Sequence, residues 1–457
     1  MRGRGRAELA NVSLVVTFAL GALVGCGGRT GPVVAARFEP TVDADARFDG
    51  GARPDSGADD ASGAIDARPA VDAGCESDRA DASSSGMCGR ACAWTGETRR
   101  CDEAVEISAG SSHTCARRAS GTVVCWGNNR SGQLGDGSTT DRPTPVAVSG
   151  LVDAVEISTG VWHTCARRAS GNVVCWGSNS SGQLGDGTRT NGLTPVGVSG
   201  LADVVEISAT GWEHTCARRA SGTVVCWGKN RFGQLGDGTT TDRSTPVAVS
   251  GLADAAEISA GSEHTCARRS SGAVVCWGRN FDGRLGDGTT TERWTPVAVS
   301  GLADAVEISA GDGTEGAGHT CARRASGAVL CWGDNFAGQL GDGTAIDRAT
   351  PVAVSGLVDA AGISTGLLHT CALRASGSAA CWGRNLYGQL GNGTTADRHA
   401  PVAVSRLADA VEISTGENHT CARRASGAVV CWGNNSSGQL GDGTTGSAHT
   451  LVTVVAP

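Results

Sequence analysis

The sequence predicts an all-β chain, a seven-bladed β-propeller of about 50-residue repeats that follows a short cysteine-rich segment. A His-Thr-Cys triplet begins at His113 and recurs about every 50 residues until the seventh copy at His419. Repeats of this length are typical of solenoids, propellers and arrays. Each repeat contains four short β-branched stretches bounded by Gly, Ser, Asn or Pro, and none has a helical period. Four strands per repeat favour a propeller over a solenoid.

Length and composition exclude several alternatives. The 457 residues exceed what one hydrophobic core usually supports, so a modular array is expected. Aromatic residues make up 4% and there are 69 glycines, which indicates a core of small aliphatic side chains. The net charge is −8 and Lys229 is the only lysine, so the cationic surface of a nucleic-acid-binding protein is missing. We therefore expect no nucleic-acid partner.

The N-terminus predicts export. Arg2, Arg4 and Arg6 precede an apolar run over residues 12–24, which is shorter than the roughly 20 residues of a membrane-spanning helix. This pattern indicates a signal peptide over residues 1–25. The run ends in Leu-Val-Gly-Cys26, which resembles the bacterial lipoprotein box, in which the cysteine is acylated. We expect a lipid anchor on Cys26 at the bacterial cell envelope, on the outer membrane or cell surface; ordinary secretion is the alternative.

Two short regions precede the repeats. Residues 26–73 are rich in Asp, Ala and Gly, and residues 39–73 hold nine acids against three arginines, which predicts a disordered tether. The spacing of a calcium loop is absent there. Residues 74–102 form a small cysteine-rich segment with Cys75, Cys88, Cys92 and Cys101. We expect two disulfides there; three pairings remain open, and a zinc site is the alternative.

Residues 103–457 carry the repeats, and the first repeat shows their strand pattern. Its predicted strands are residues 105–108, 114–118, 122–126 and 145–148. A three-residue loop at 119–121 joins the second and third strands and ends in Gly, which suits a left-handed conformation. Counting outward from this loop sets Cys115 opposite Cys125, and opposed residues lie within disulfide range.

Every repeat has such a cysteine pair, and in an exported chain this predicts seven disulfides. A zinc site from His and two Cys is the alternative, but the opposed geometry needs no metal, and we expect none. The predicted bridges join Cys115 with Cys125, Cys165 with Cys175, Cys216 with Cys226, Cys266 with Cys276, Cys321 with Cys331, Cys371 with Cys381, and Cys421 with Cys431.

One string in each repeat resembles a known family. Residues 125–137, Cys-Trp-Gly-Asn-Asn-Arg-Ser-Gly-Gln-Leu-Gly-Asp-Gly, with residues 109–114 before them, are similar to the regulator-of-chromosome-condensation repeat. The motif recurs seven times, with Arg284 in place of Gln and Asn392 in place of Asp. The resemblance spans residues 103–457 and implies a seven-bladed propeller. The name-giving eukaryotic member is a nuclear guanine-nucleotide exchange factor, and a secreted bacterial member binds a protein through one propeller face.

Residues that recur in every blade are expected to be scaffold, because chemistry happens once per site. The seven histidines lie on seven blades and cannot converge on one metal, so we expect each to make a structural hydrogen bond in its own turn. No Gly-Lys-Ser/Thr follows the Gly-Gln-Leu-Gly string, so a nucleotide phosphate loop is not expected. Arginine pairs such as Arg117-Arg118 should form a charge-balanced rim with aspartates between the blades. We expect no cofactor and no catalytic residue.

Two enzyme-like functions remain as alternatives. The first is a propeller enzyme that acts on surface polysaccharide; sialidases use a tyrosine nucleophile, and Tyr387 is the only tyrosine. The second is nucleotide exchange, which rests on the family name alone.

The variable loops predict a binding face. In a four-stranded meander, the connections from first to second and from third to fourth strand leave on the same face. Large apolar residues there differ between blades, and such clusters are typical of interfaces. The alternative is that each side chain only covers its own loop. We expect a monomeric, non-enzymatic protein that binds a protein or peptide through Trp162, Trp212, Phe232, Phe281, Phe336, Leu367 and Tyr387.

Overall fold

The computed structural model describes the backbone of residues 92–95 and 98–101, and residues 103–311 and 318–455 in full. The predicted signal peptide, the lipidated Cys26 and the tether lie outside the described residues. In the described part of the chain, no helix is long and apolar enough to cross a membrane.

A two-stranded hairpin precedes the propeller. Its strands are Cys92–Thr95 and Thr98–Cys101, and their register sets Cys92 opposite Cys101. Cys75 and Cys88 lie outside the described residues, so the pairing of these four cysteines stays open.

The seven repeats form seven separate four-stranded antiparallel sheets, the blades, each with its strands in chain order. The first strands are Ala104–Ala109, Ala154–Thr159, Val204–Ser208, Ala255–Ala260, Ala305–Ala310, Ala360–Thr365 and Ala410–Thr415. The second strands are His113–Arg118, His163–Arg168, His214–Arg219, His264–Arg269, His319–Arg324, His369–Arg374 and His419–Arg424.

The third strands are Val123–Gly127, Val173–Gly177, Val224–Gly228, Val274–Gly278, Val329–Gly333, Ala379–Gly383 and Val429–Gly433. The fourth strands are Arg142–Ala147, Gly192–Gly197, Arg243–Ala248, Arg293–Ala298, Arg348–Ala353, Arg398–Ala403 and Ala448–Thr453. The fourth strand thus begins three residues before the predicted start at Pro145 and ends one residue early. Its prolines are tolerated because it is the edge of its sheet, where some N–H groups need no partner.

The predicted hairpin register is confirmed. Gly121 ends the first hairpin loop with a φ of 84°, and Cys115 lies opposite Cys125. The same opposition recurs in the other six hairpins, where strand pairing sets the two cysteines of each repeat side by side.

All seven predicted disulfides are confirmed. Their Cα atoms lie 4.0 to 4.1 Å apart, the close spacing of laterally opposed residues, and every bridged cysteine is buried. The bridges join Cys115 with Cys125, Cys165 with Cys175, Cys216 with Cys226, Cys266 with Cys276, Cys321 with Cys331, Cys371 with Cys381, and Cys421 with Cys431. These cysteines therefore belong to the scaffold and take no part in the exposed surface.

The core lies between neighbouring blades. Trp176 of blade 2, for example, packs with Cys115, Leu134 and Leu151 of the blade 1 repeat. All seven equivalent tryptophans are buried, and each indole Nε1 donates to a backbone carbonyl of the preceding blade at 2.8 to 2.9 Å. One cluster of this kind fills each blade–blade interface, so no blade has a complete core of its own.

The first strands surround the central axis, since each contacts the first strands of both neighbours. They are joined by an inner belt of side chains. Glu106 accepts a hydrogen bond from the Ile157 N–H at 3.1 Å and one from Arg117 at 2.7 Å, and Ser108 accepts one from the Thr159 N–H at 3.0 Å. The glutamate contact recurs at five other interfaces, through Glu156, Glu206, Glu257, Glu307 and Glu412.

The ring closes through the same contacts and not through a shared strand. Blade 7 and blade 1 are each built from consecutive residues. Glu412 accepts from the Ile107 N–H at 3.0 Å, and the Gly443 N–H donates to the Pro143 carbonyl at 3.0 Å. The first and last blades therefore meet as any other two blades do.

The two arginine positions of a blade bind different acids. In blades 2 to 7 the arginine at the second position faces an aspartate of the link between blades, as in Arg219–Asp203 at 2.8 Å and Arg269–Asp254 at 2.9 Å, which confirms the predicted rim there. The first arginine instead binds the inner glutamate, as Arg117 does. Half of the predicted rim thus belongs to the inner belt.

Candidate binding face

The two variable connections share one face, as predicted. In blade 1 the Asn128 N–H, at the start of the third-to-fourth connection, donates to the carbonyl of Ser112 in the first-to-second connection. Equivalent bonds occur in every blade, such as that from Ser178 to Trp162. We call this side of the propeller the variable face.

A common hydrogen-bond frame holds each third-to-fourth connection. The Asn129 amide nitrogen donates to Asp136 at 3.1 Å, and its oxygen accepts from the Leu134 N–H at 2.9 Å. Gln133 accepts from the Ser131 N–H at 2.9 Å. Because these buried polar groups recur around the ring, the residue directly after the asparagine occupies the same outward position in every blade.

This outward position is exposed in all seven blades, and its occupant differs. It is Arg130, Ser180, Arg231, Phe281, Phe336, Leu386 and Ser436 in order. Phe281 is 72% exposed, Phe336 58% and Leu386 54%. These three residues lie on consecutive blades 4, 5 and 6, and we call them the apolar arc.

Other predicted anchors are partly covered. Trp212 is half-buried beneath Lys229, whose Nζ lies 5.0 Å from the ring centre. Phe232 is half-buried between Arg231 and Arg279, whose guanidinium carbons lie 5.4 and 4.9 Å from its ring centre. Two further anchors, Trp162 and Tyr387, are also half-buried. For these rings, the expectation that they cover their own loops holds in part.

The prediction of an accessible Leu367 is wrong. Leu367 is only 6% exposed and packs with Leu368 and Ala337 in the seam between blades 5 and 6. Burial against a neighbouring blade is a tertiary contact that loop variability does not indicate. Leu386, which was not among the predicted anchors, is the exposed apolar residue of blade 6.

Sequence reasoning also missed the residue that follows each Trp-Gly. This position holds Asn128, Ser178, Lys229, Arg279, Asp334, Arg384 and Asn434. The Lys229 ammonium lies 2.6 Å from Glu213, and the Arg279 guanidinium lies 2.5 Å from Glu263. The signal was available, since the acid directly precedes the histidine of the same repeat.

Three acids of blades 4 and 5 interact electrostatically on this face. Burial raises the pKa of Asp334 to about 7, and the charges of Asp282 and Asp347 act in the same direction. Arg284, fully buried in the place of a glutamine, donates to Asp282 at 2.5 Å. Within residues 103–311 and 318–455, no group of three His, Cys, Asp or Glu residues is arranged to hold a metal ion.

The histidines are scaffold, but their predicted bond within the turn is wrong, since it crosses to the next blade. Nε2 of His113 lies 2.9 Å from the Thr164 hydroxyl, which donates to the Gln133 carbonyl at 2.9 Å. Because the hydroxyl has one proton and a carbonyl only accepts, the histidine must donate from Nε2. Burial lowers the pKa of His113 to about 3, so the ring is neutral.

Comparison with known proteins agrees with this architecture. The model of the RCC1-like domain matches residues 83–317, about half of the chain. The chain belongs to the RCC1-like family. Models of the regulator of chromosome condensation (RCC1) repeat match residues 326–373 and 376–423, and a second repeat model matches residues 306–339, 361–389 and 410–439.

Among curated relatives of this RCC1-like protein is the ultraviolet-B receptor UVR8 of Arabidopsis thaliana. The two are 36% identical over 148 residues, which is 32% of this chain and 22% of that receptor. The match thus spans about a fifth of the relative's length.

Solved structures show the same fold at low identity. Yeast RCC1 (Prp20) bound to Kap60 superposes with a TM-score of 0.65 at 18% identity, over 81% of this chain and 91% of that one. Prp20p from Saccharomyces cerevisiae, studied for its binding to Gsp1p and histones, gives 0.64 at 20% identity over 78% and 88%. Human WBSCR16 gives 0.62 at 21% identity over 71% and 88%.

Proposed function

We propose that this RCC1-like propeller is a non-enzymatic binding protein and that its variable face binds a protein or peptide partner. The observation that carries the proposal is the apolar arc. Phe281, Phe336 and Leu386 are more than half exposed on three consecutive blades, at a position where the other blades carry Arg or Ser. The shared scaffold does not require these side chains, and exposed clusters of this kind are typical of interaction sites.

Neighbouring contacts extend the face from blade to blade. The Ser180 hydroxyl of blade 2 reaches Glu213 of blade 3 at 3.3 Å, and Phe232 of blade 3 packs against Arg279 of blade 4. A surface continuous over several blades suits a macromolecular partner, because stable protein interfaces need about 800 Å² per partner. Prp20p, with the same fold, is described as binding Gsp1p and histones.

The enzyme alternatives have less support. Among the described residues, no side chain is hydrogen-bonded to the hydroxyl of Tyr387, so the activating base of a sialidase nucleophile is not found. All seven repeat histidines are buried within the blade interfaces. Nucleotide exchange rests on family likeness alone.

We also propose that the protein is exported and anchored at the cell envelope. Seven buried disulfides suit an oxidising compartment, and the N-terminal sequence ends its apolar run at Cys26. Cys26→Ser should lose membrane association in a detergent partition. A Cys26→Ser chain that stays tightly bound to the membrane would contradict the lipid anchor.

The binding face is tested on the soluble protein. Partners are captured from the cell envelope, and the Kd is measured for Phe281→Ala, Phe336→Ala and Leu386→Ala. At least one substitution should weaken binding roughly 30-fold, the effect of about 2 kcal/mol, without changing the melting temperature. Ser436→Ala, at the same position on blade 7, is the matched control and should bind normally. Binding that no arc substitution weakens contradicts the proposal.

A further inference from the structure

Blade 6 differs from blades 3 and 4 in one pair of neighbouring residues on the variable face, the residue after Trp-Gly and the residue before the histidine. In every blade, the residue after Trp-Gly donates its N–H to the carbonyl of the residue before the histidine. The distances are 2.7 Å from Lys229 to Glu213, 2.9 Å from Arg279 to Glu263 and 2.8 Å from Arg384 to Leu368. The two side chains of each pair therefore start next to each other.

Of the three basic residues after Trp-Gly, two form an ion pair with the neighbouring residue and one does not. In blades 3 and 4 the neighbour is a glutamate, and the cation and carboxylate lie 2.6 and 2.5 Å apart. In blade 6 the neighbour is Leu368, which is buried. Arg384 is half-buried and has no ion pair with any residue that the structure describes. Its surroundings thus lack the carboxylate that the same backbone geometry supplies twice elsewhere.

The buried amide beside Arg384 also lacks an acceptor. In blades 1 and 5 the equivalent glutamine Nε2 donates to the residue after Trp-Gly, at 2.8 Å in both. Gln389 and Arg384 occupy the same two positions in blade 6, and the Gln389 Nε2 is buried without a hydrogen-bond partner. Gln234 beneath Lys229 has the same defect, but there Glu213 neutralises the cation. Blade 6 alone combines an unpaired cation with an unpaired amide donor in the described part of the ring.

We propose that Arg384 binds the carboxylate of an acidic side chain from the protein partner, whose flanking apolar residues contact Phe336, Leu386 and Tyr387. The inference rests on the proposed function and names the chemistry of its partner. Leu386 follows the arginine by two residues in the same connection, and Phe336 occupies the outward position of the adjoining blade 5. Arginine suits the role because its planar guanidinium matches a carboxylate in a two-bond geometry.

The experiment uses a phage-displayed library of random 12-residue peptides, selected on the full chain. The expected peptides pair Asp or Glu with an adjacent aromatic or aliphatic residue. For the best synthetic peptide, Arg384→Gln should raise the Kd roughly 10- to 100-fold, as expected for loss of a hydrogen-bonded charge. Arg384→Glu should restore binding of the same peptide with its acid changed to Lys. Lys229→Gln, which alters a cation already paired within the chain, is the matched control and should bind normally.

A second variant supplies the carboxylate from within the chain. Leu368→Glu repeats the arrangement of Glu213 and Glu263, so it should block the peptide by occupying Arg384. The unfolding midpoint of Leu368→Glu is also measured, because Leu368 is buried. If Leu368→Glu does not fold, the inference is tested by Arg384→Gln.

Three outcomes overturn the inference. In the first, peptides bind through Phe336 but ignore Arg384→Gln, which leaves the proposed function intact. In the second, no peptide is selected, and the proposed function is then judged by the arc substitutions against the envelope partner. In the third, a synthetic peptide of residues 39–73 binds at Arg384 more tightly than any selected peptide, which makes the chain's own acidic segment the occupant.

Discussion

Nε2 of His214 lies 2.9 Å from the hydroxyl of Thr265 in the next blade, and this pair joins two sheets that share no backbone ladder. The same hydroxyl donates to the Gln234 carbonyl at 2.9 Å, and that carbonyl also accepts from the Trp277 indole at 2.9 Å. Three side chains and one carbonyl thus form a buried chain of hydrogen bonds across the interface, which we call the relay. An equivalent relay crosses each of the other six interfaces.

Thr265→Val should destabilise the fold by about 1 to 3 kcal/mol. Valine keeps the shape of threonine but has no hydroxyl, so the buried His214 N–H loses its hydrogen-bond acceptor. Urea unfolding measures the change. Thr290→Val, at an exposed position in the same repeat, is the control and should be nearly neutral. Equal stability of the two variants would show that the relay contributes nothing.

Trp227→Ala should cost roughly 3–5 kcal/mol, because it removes a buried ring from the interface of blades 2 and 3 and leaves a cavity. Phe336→Ala, which removes a ring from an exposed position, should leave the free energy of unfolding almost unchanged. Thermal unfolding of the two variants separates scaffold aromatics from surface aromatics. A large loss in Phe336→Ala would mean that the arc supports the fold.

The inner belt has one gap, and filling it should stabilise the ring. Blade 6 carries Gly362 opposite Leu373 where the other blades pair Glu with Arg. A Cβ at Gly362 would meet Leu373 at 3.7 Å and Glu307 at 3.8 Å, which is ordinary contact, so a glutamate fits. In a double-mutant cycle, Gly362→Glu and Leu373→Arg should show a favourable coupling free energy: the double variant should be more stable than the sum of the two single effects by about 1 kcal/mol or more. Additive effects in a double-mutant cycle would count against the belt as a source of stability.

The seven disulfides predict a defined mass spectrum. In the non-reduced protein, Cys165 should be linked to Cys175, and the other six repeats should give equivalent peptides. Each bridge closes a short loop, so Cys165→Ser with Cys175→Ser should cost about 2.5 kcal/mol or less. Free thiols at these positions in protein isolated from the cell envelope would overturn the oxidising-compartment assignment.

The histidines predict acid sensitivity. Burial lowers the pKa of His163 to about 4 and those of His214 and His319 to about 3, and the other four buried histidines shift in the same direction. The unfolded chain therefore binds more protons below about pH 6.5, so this stability is present above that pH and is lost as the pH falls toward 4.

Buried carboxyls oppose this trend. Burial raises the pKa of Glu257 to about 7, although Arg268 lies 2.8 Å away, and that of Asp334 also to about 7. The stability that these carboxyls contribute is present below the pKa that they have in the unfolded chain and is lost as the pH rises through 7. Burial also raises the pKa of three further acids, Glu156, Asp282 and Glu412. Seven histidines outnumber these carboxyls, so the urea midpoint should fall between pH 7 and pH 5. A midpoint that rises over this range would contradict the buried neutral histidines.

Local pattern was enough to predict the architecture of the repeats. Strand length, the three-residue hairpin loop and its glycine follow from neighbouring residues, and the hairpin register alone sets Cys115 opposite Cys125. These predictions succeeded because they depend on contacts within about ten residues of chain, where turn type and strand alternation leave one register. Strand ends depend on position in the sheet as well, and the fourth strand begins earlier than predicted because its edge position admits proline.

Contacts between blades could not be predicted in the same way. Seven scaffold tryptophans, seven cysteine pairs and two loops of varied composition all follow from the amino-acid sequence. The packing of the blades was needed to show that His214 bonds to the next blade, that Leu367 is buried, and that Leu386 joins Phe281 and Phe336 in the exposed arc. Burial and pairing across an interface depend on how neighbouring blades approach each other, and residues about 50 positions apart carry no local signal of that approach.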